Sequence, residues 1–304
     1  MIRSMFSGVT GLRAHQTLMD IIGNNIANVN TNSFKSSRVT FTDVYYQLVS
    51  SASAPSADAE GMGGSNPSQI GYGTKVASID VVNTQGGYSQ TDKTTDLYIS
   101  GEGYFLVGNS ASSVNYTRVG SFKFDESGYL VDGNGNHVLG ASILYTKDTD
   151  GNLVNANPTE EDSCTLLPES ATTGPYVTAA DGPIVAANLR RIQVDVEKYS
   201  DISIAKDGTI TGVSDATGEI ETLGQIALAK FGNPDGLTQE GSMYLSASQN
   251  SGEAVISVPG DGGVGSLVSG GLEMSNVDLS KQFTDMIVAQ RGFQANSRVI
   301  RSEE

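Results

Sequence analysis

Two runs of apolar residues at a seven-residue spacing, one at each end of the chain, restrict its fold more than any other feature. Met5, Leu12, Met19 and Ile26 fall seven apart, with Val9, Ile22 and Val29 three or four residues from members of that series. Leu272, Leu279, Met286, Phe293 and Ile300 form a second series, with Phe283 and Ala289 filling in. A stripe at that period lies on one face of a helix and needs another helix to cover it. The spacing predicts terminal helices over 1–30 and 272–304, each the other's candidate partner. The first helix is weak alone. Gly8, Gly11 and Gly23 each cost about 1 kcal/mol relative to alanine, and Asn24, Asn25 and Asn28 favour turns over helix interior. It therefore needs a partner, and glycine on a packed face lets two backbones approach closely. The expected assembly interface is Met5, Val9, Leu12, Met19, Ile22, Ile26, Val29, Leu279, Phe283, Met286, Phe293 and Ile300.

Between the ends the pattern changes. Residues 31–75 read as a connector, with a short helix around Val44, Tyr45, Leu48 and Val49 and a flexible loop rich in Ser, Ala, Pro and Gly after Ser50. From Lys75 the apolar period becomes two. Strands around Val76–Val82, Leu97–Ile99, Tyr104–Val107 and Phe122–Phe124 are separated by turn residues such as Asp125-Glu126-Ser127-Gly128 and Asp132-Gly133-Asn134-Gly135-Asn136. Those are the residues antiparallel hairpins require. Segments 76–145 and 184–271 together predict a β-rich middle domain, consistent with 36 glycines and no tryptophan. An acidic, turn-rich stretch over 146–183 interrupts it and is too small for a large core of its own. It is expected to be a small inserted outer domain or loop. The fold class is α+β: paired terminal helices in a coiled-coil-like domain, a mainly antiparallel β body, and the small insertion.

Charge narrows the partners. The formal net charge is −16, distributed as +2 over residues 1–50, −1 over 272–304 and −17 over the middle. An acidic body argues against nucleic acid as a partner. No stretch approaches the roughly 20 apolar residues of a membrane helix, so no membrane insertion is expected. The first residues also lack the continuous apolar core of a secretory signal, which on its own points to the cytoplasm.

The stretches that resemble catalytic or ligand-binding motifs each lack a required part. Gly260-Asp261-Gly262-Gly263-Val264-Gly265 has the spacing of a dinucleotide-binding loop, but no helix opens directly after it, so a turn is the better interpretation. Asp148, Asp150 and Asn152 begin like a calcium loop, but Leu153 and Thr159 occupy positions that need glycine and glutamate. His15 and His137 lie on different predicted elements. The single Cys164 excludes an internal disulfide and is expected to be inert. No nucleophile is flanked by a base. The chain is expected to be a non-enzyme without metal or cofactor.

Asn24, Asn25, Ala27 and Asn28, followed by Thr31, Phe34 and Lys35, are similar to the N-terminal signature of the bacterial flagellar rod and hook protein family. Asn276, with Gln290, Arg291 and Asn296, resembles its C-terminal signature, and 96–105, 116–140 and 224–237 resemble its β-rich middle domain. The resemblance implies a flagellar hook subunit. It would polymerise with itself into a hollow tube outside the cell, a flexible joint between rod and filament whose outer β domains slide as it bends. It further implies export through the flagellar export apparatus and contacts with rod, hook-cap and hook–filament junction proteins. Members usually continue the last helix beyond the position of Glu304. The insertion at 146–183 favours hook over distal rod, the alternative, though it is shorter than many hook insertions. A secreted β-rich adhesin or enzyme is the third possibility.

Overall fold

The computed structural model describes residues 2–54, 64–110, 113–142, 145–147, 153–155, 189–196, 198–215 and 218–303. Most of the expected insertion, with Cys164 and the calcium-like loop around Asp148 and Asp150, lies outside the described residues. The fold is α+β, with two long helices and many antiparallel strands among the described residues, and divides into two compact units. One comprises residues 1–30, 35–82 and 277–304, the other 31–34 and 83–276.

The helical unit contains α1 (Ile2–Ala27) and α2 (Leu279–Glu303). The α2 helix begins later than the apolar spacing predicts, and the reason is local. Asp278 Oδ1 accepts hydrogen bonds from the backbone N–H groups of Ser280 at 2.9 Å and Lys281 at 3.2 Å, the geometry of an N-cap. Leu272, read as the first member of the helical series, lies instead in a strand, Gly271–Glu273, paired with Tyr88–Gln90. At the other end α1 stops at Ala27, and the Asn28 side-chain amide folds back onto the Asn24 carbonyl at 2.9 Å.

The same unit carries a long antiparallel ribbon where a helix and a flexible loop were expected. Strand β1 (Ser37–Asp43) pairs with β4 (Thr74–Val81), and β2 (Tyr46–Ser50) pairs with β3 (Ser68–Gly71). The two pairs are joined by Val44 N–H donating to the Gly73 carbonyl and Tyr72 N–H to that of Tyr45, both at 3.1 Å. A helix of one or two turns here would not sustain itself. Aromatic and β-branched residues suit a pleated strand, and Tyr45 stacks on Tyr72 with ring centroids 4.6 Å apart.

In the β unit the period-two pattern places side chains on both faces of one sheet. A six-stranded sheet runs in the order Thr238–Gly241, Tyr244–Ser246, Ser113–Thr117, Tyr104–Ser110, Leu228–Lys230, Val255–Ser257. Phe105 and Val107 face one cluster, with Phe122 edge-on to Phe105 at 5.0 Å, while Tyr104 and Leu106 face a second cluster with Phe231 and Ile256. A five-stranded sheet includes the Thr209–Ser214 and Ile220–Ile226 hairpin and supplies Ile210, Leu223 and Ile226 to the first cluster. The predicted turns form as their residues dictate. Asp125 accepts from Ser127 N–H and Asp132 from the N–H groups of Asn134 and Asn136.

One buried ion pair organises the edge of this unit. Arg118 Nε donates to Glu273 Oε2 at 2.8 Å, with the two side chains 10% and 1% exposed. The guanidinium also donates to the carbonyls of Gly103 and Gly101, and Glu273 Oε1 accepts from Gly86 N–H at 2.8 Å. Both charges are thereby hydrogen-bonded as well as paired, which offsets their desolvation.

Two outcomes follow. Arg118→Ala strands a buried carboxylate, so urea denaturation should show a loss of about 3–5 kcal/mol, and Arg118→Lys should not restore it because one ammonium cannot span the same three partners. The His137 imidazole, edge-on to Tyr129, is held below its ordinary pKa by burial first and by the Arg191 charge second, partly offset by Asp125. The unfolded chain then binds the additional proton, so stability is full above about pH 6.5 and falls as pH drops through that value towards the lower folded pKa. Between pH 7.5 and 5.5, the wild-type melting temperature should fall further than that of His137→Phe, which keeps the ring contact without the titration.

Candidate assembly interface

The helix pair is antiparallel and is built on small residues. A Cβ added at Gly11 would lie 2.6 Å from the Asn296 amide nitrogen, and one added at Gly292 would lie 2.6 Å from the His15 ring. Both contacts are with side-chain ends, so the two glycines make room for the Asn296 amide and the His15 ring to lie directly against the facing helix. Gly8 meets Ile300 in the same seam, and Asn25 donates from Nδ2 to Gln282 Oε1 at 3.3 Å near the other end. Ala14, Ile22 and Ala289 are buried within the helical unit.

Asn25 does more than pair the helices. It is 1% exposed, its Nδ2 donates to the Ser37 carbonyl at 2.8 Å, and its Oδ1 accepts from Ser37 N–H at 3.0 Å. One amide thus fixes α1, α2 and the start of β1 with a donor–acceptor pair that no apolar side chain of that size supplies.

The large apolar residues expected at the interface fall in three groups. Ile22 is buried; Leu12, Met19, Ile26, Val29, Met286, Phe293 and Ile300 are half-buried; Met5, Val9, Leu279 and Phe283 are exposed. The series at 5, 12, 19 and 26 therefore flanks the seam. The residues within it follow a neighbouring register, Gly8, His15 and Ile22 on α1 and Gln282, Ala289 and Asn296 on α2, each also seven apart. That signal was present in the sequence but carried by small and polar residues, which a search for apolar periodicity passes over. Phe6, Ile287, Val288 and Val299 extend the exposed apolar surface of the pair. On the ribbon, every residue of β2 and β3 is exposed, including Tyr46, Leu48, Val49 and Ile70.

The remaining signature residues have local roles. Asn28 folds back on Asn24. Asn276 Nδ2 donates to the Thr84 carbonyl and hydroxyl at 3.2 and 3.0 Å, and its N–H donates to the Phe34 carbonyl at 3.3 Å. Asn296 faces Gly11 across the seam. Thr31 accepts from Phe34 N–H through its carbonyl, closing a turn. Lys35 is half-buried, and Ala27, Gln290 and Arg291 are exposed. Sequence reasoning gave no role to Ser33, Arg118 or Glu273, although Arg118 lies in the 116–140 stretch and Glu273 in the C-terminal signature, because nothing in a local motif says that these three polar residues meet.

Among the described residues of the β unit, the stretches considered for chemistry have structural roles. The Gly260–Gly265 stretch is a turn, with Val264 N–H donating to the Asp261 carbonyl at 3.0 Å, and it opens into strand Ser266–Ser269. Beside it, the Lys230 ammonium bridges to Glu102 at 2.8 Å; its hydrogen bond, then its charge, hold that carboxyl below the ordinary range. His15 belongs to the helical unit and His137 to the β unit. A cleft of about 610 Å³ is lined by Leu106, Val114, Tyr116, Leu189, Ala254 and Ile256, with Ser248 and Glu253 among its polar residues. The Ser248 hydroxyl is engaged by the Gly236 carbonyl at 2.5 Å, and burial raises the Tyr116 phenol. Among the described residues no group of three or more His, Cys, Asp or Glu side chains converges to hold a metal ion. Among the described residues no helix is long and apolar enough to cross a membrane.

Three family models match the chain. They are "Flagella basal body rod protein" over residues 5–35, "Flagellar hook protein FlgE/F/G D1 domain" over 98–212, and "Flagellar basal body rod FlgEFG protein C-terminal" over 268–304. The flagellar basal-body rod protein FlgG of Bacillus subtilis is 39% identical over 305 residues, covering 100% of this chain and 96% of the relative. FlgG of Borreliella burgdorferi is 30% identical over 304 residues, with 100% and 96% covered. The flagellar hook protein FlgE of the same organism is 29% identical over 439 residues, with 100% and 98% covered. On this likeness along its whole length, the chain belongs to the flagellar rod and hook family of non-enzymatic axial structural proteins.

Proposed function

We propose that the chain is a subunit of the flagellar distal rod, polymerising with copies of itself and with adjoining axial proteins into a straight, stiff tube. Colinearity with the rod relatives carries this reading. The comparison with B. subtilis FlgG spans 305 residues, almost the 304 of this chain, whereas those with hook proteins of B. burgdorferi and Treponema pallidum spread over 439 and 460. A hook relative thus carries over a hundred residues with no counterpart here, far more than the short stretch at 146–183 that favoured a hook. The hook-cap and hook–filament junction partners fall away with that preference, while export through the flagellar apparatus is kept.

The terminal segments 1–30 and 272–304 act in this proposal as the assembly elements. The α1–α2 seam is filled by small residues, which leaves Met5, Val9, Leu279 and Phe283 outward as contacts for neighbouring copies. A pair of helices with apolar outer faces gains order when those faces are covered, so the ends are mobile in a free subunit and fixed in the tube. Contacts that join unlike surfaces and do not close into a ring generate a helical tube. The acidic middle of the chain keeps free subunits apart until short-range contacts form.

Electron microscopy of the purified chain in concentrated ammonium sulfate, which screens charge and strengthens apolar burial, should show straight tubes. Curved tubes would return the hook reading, and tubes formed equally well without residues 1–30 would remove the helices from assembly. Phe283→Ser should raise the critical concentration about tenfold to a hundredfold, since burial of a phenylalanine is worth about 1.5–3 kcal/mol. It should leave the melting temperature of the monomer unchanged, because the terminal helices are mobile in the free subunit and their order forms no part of its melting.

A further inference from the structure

The chain passes between its two compact units at residues 30/31, 34/35, 82/83 and 276/277. Two of the segments beside these crossings, Thr31–Phe34 and Glu273–Asn276, are fastened to each other within the β unit. Ser33 N–H donates to the Glu273 carbonyl at 2.8 Å, and Asn276 N–H donates to the Phe34 carbonyl at 3.3 Å. The Ser33 hydroxyl donates to the Arg118 carbonyl at 2.9 Å. Arg118 and Glu273 are the buried ion pair, so the polar groups that fix Ser33 are themselves fixed.

Ser33 shows how firmly the loop is held. It is 2% exposed and has φ +60°, a left-handed conformation that a serine adopts at a cost. A loop free to relax would leave that region; this one is over-determined by its partners. Strained, buried and fully bonded residues are not where a protein frays, yet the last residue of α1, Ala27, lies only six positions before Ser33.

We propose that the Ser33–Arg118–Glu273 clamp sets the boundary of order in the unassembled subunit and brings both terminal segments out of the β unit at one point, so that α1 and α2 of the same chain pair with each other as assembly begins. The proposal rests on the reading above that the helices order on assembly. With the clamp closed, the two ends start from adjacent positions, and the local concentration of one helix for the other exceeds that supplied by neighbouring subunits. With the clamp open, a helix is freer to pair with that of another chain.

Hydrogen exchange on the full-length monomer tests the boundary. Residues 31–34 and 272–276 should be protected while 2–29 and 279–303 exchange at once. In Glu273→Gln, which keeps the shape and loses the charge, protection at 31–34 should fall at least tenfold with the Leu97–Val107 core unchanged. Ser33→Ala, which removes only the hydroxyl bond, should show a smaller fall in the same residues. Protection of both helices in the free monomer would remove the assembly reading and the boundary with it. Exchange at 31–34 as fast as in unprotected helices would overturn the clamp alone. Pairing is read from disulfide closure during polymerisation of Gly11→Cys/Asn296→Cys in a Cys164→Ser background. Bonds should close within chains, and the between-chain share should rise severalfold when Glu273→Gln is added. Bonds mainly between chains with the clamp intact, or a share unmoved by Glu273→Gln, would overturn the proposal.

Discussion

A carboxylate with almost no exposure is an expensive thing to place inside a protein, and Glu273 is such a group. Its position is tolerable because every direction around it is answered: Arg118 Nε on one oxygen, Gly86 N–H on the other, and Ser33 N–H on its backbone carbonyl. The arginine is answered in turn by the carbonyls of Gly101 and Gly103. Such a network makes a weak contribution to net stability but a strong one to uniqueness, since any other arrangement of these segments leaves a charge buried without a partner. The Gly271–Glu273 strand, the turn at residues 31–34 and the Gly86 loop are all placed by it.

The helix pair follows a different rule. Its closeness comes from glycine and alanine and its alignment from Asn25, Gln282 and Asn296, so the large apolar side chains are displaced to the flanks. A pair held together by Leu and Phe would bury its apolar surface and be complete as a monomer. One held by small residues leaves apolar surface exposed, as at Val9, Phe283 and Val288. The same residue choice explains the weak intrinsic helicity of α1: glycine that lowers propensity is what permits the close approach.

Much of this was legible beforehand, and the failures share a cause. The hairpin turns at Asp125–Gly128 and Asp132–Asn136 follow from local side-chain bonding and were read correctly. The two helices were visible from their period, but the seam lay one register over, because periodicity reports where apolar residues are and not which face meets the partner. The residues around Tyr45 and Val49 were read as a short helix and Ser50–Gly73 as a loop; the described part is a ribbon held by cross-strand bonds and Tyr45–Tyr72 stacking. Leu272 matched the helical series by number but lies in a strand, since Asp278 starts the helix.

The sequence by itself determined that this chain is a helix-flanked, acidic, antiparallel β protein of the flagellar axial family. Period, turn chemistry, charge and terminal motifs are local properties that need no knowledge of distant contacts. Only the tertiary structure decided which helix face is spent inside the subunit and which stays exposed. Only it joined Ser33, Arg118 and Glu273, three residues spread over 241 positions that mark nothing in isolation. The physical reason is that a buried charge and a close helix crossing are defined by their partners, and partners are chosen by folding.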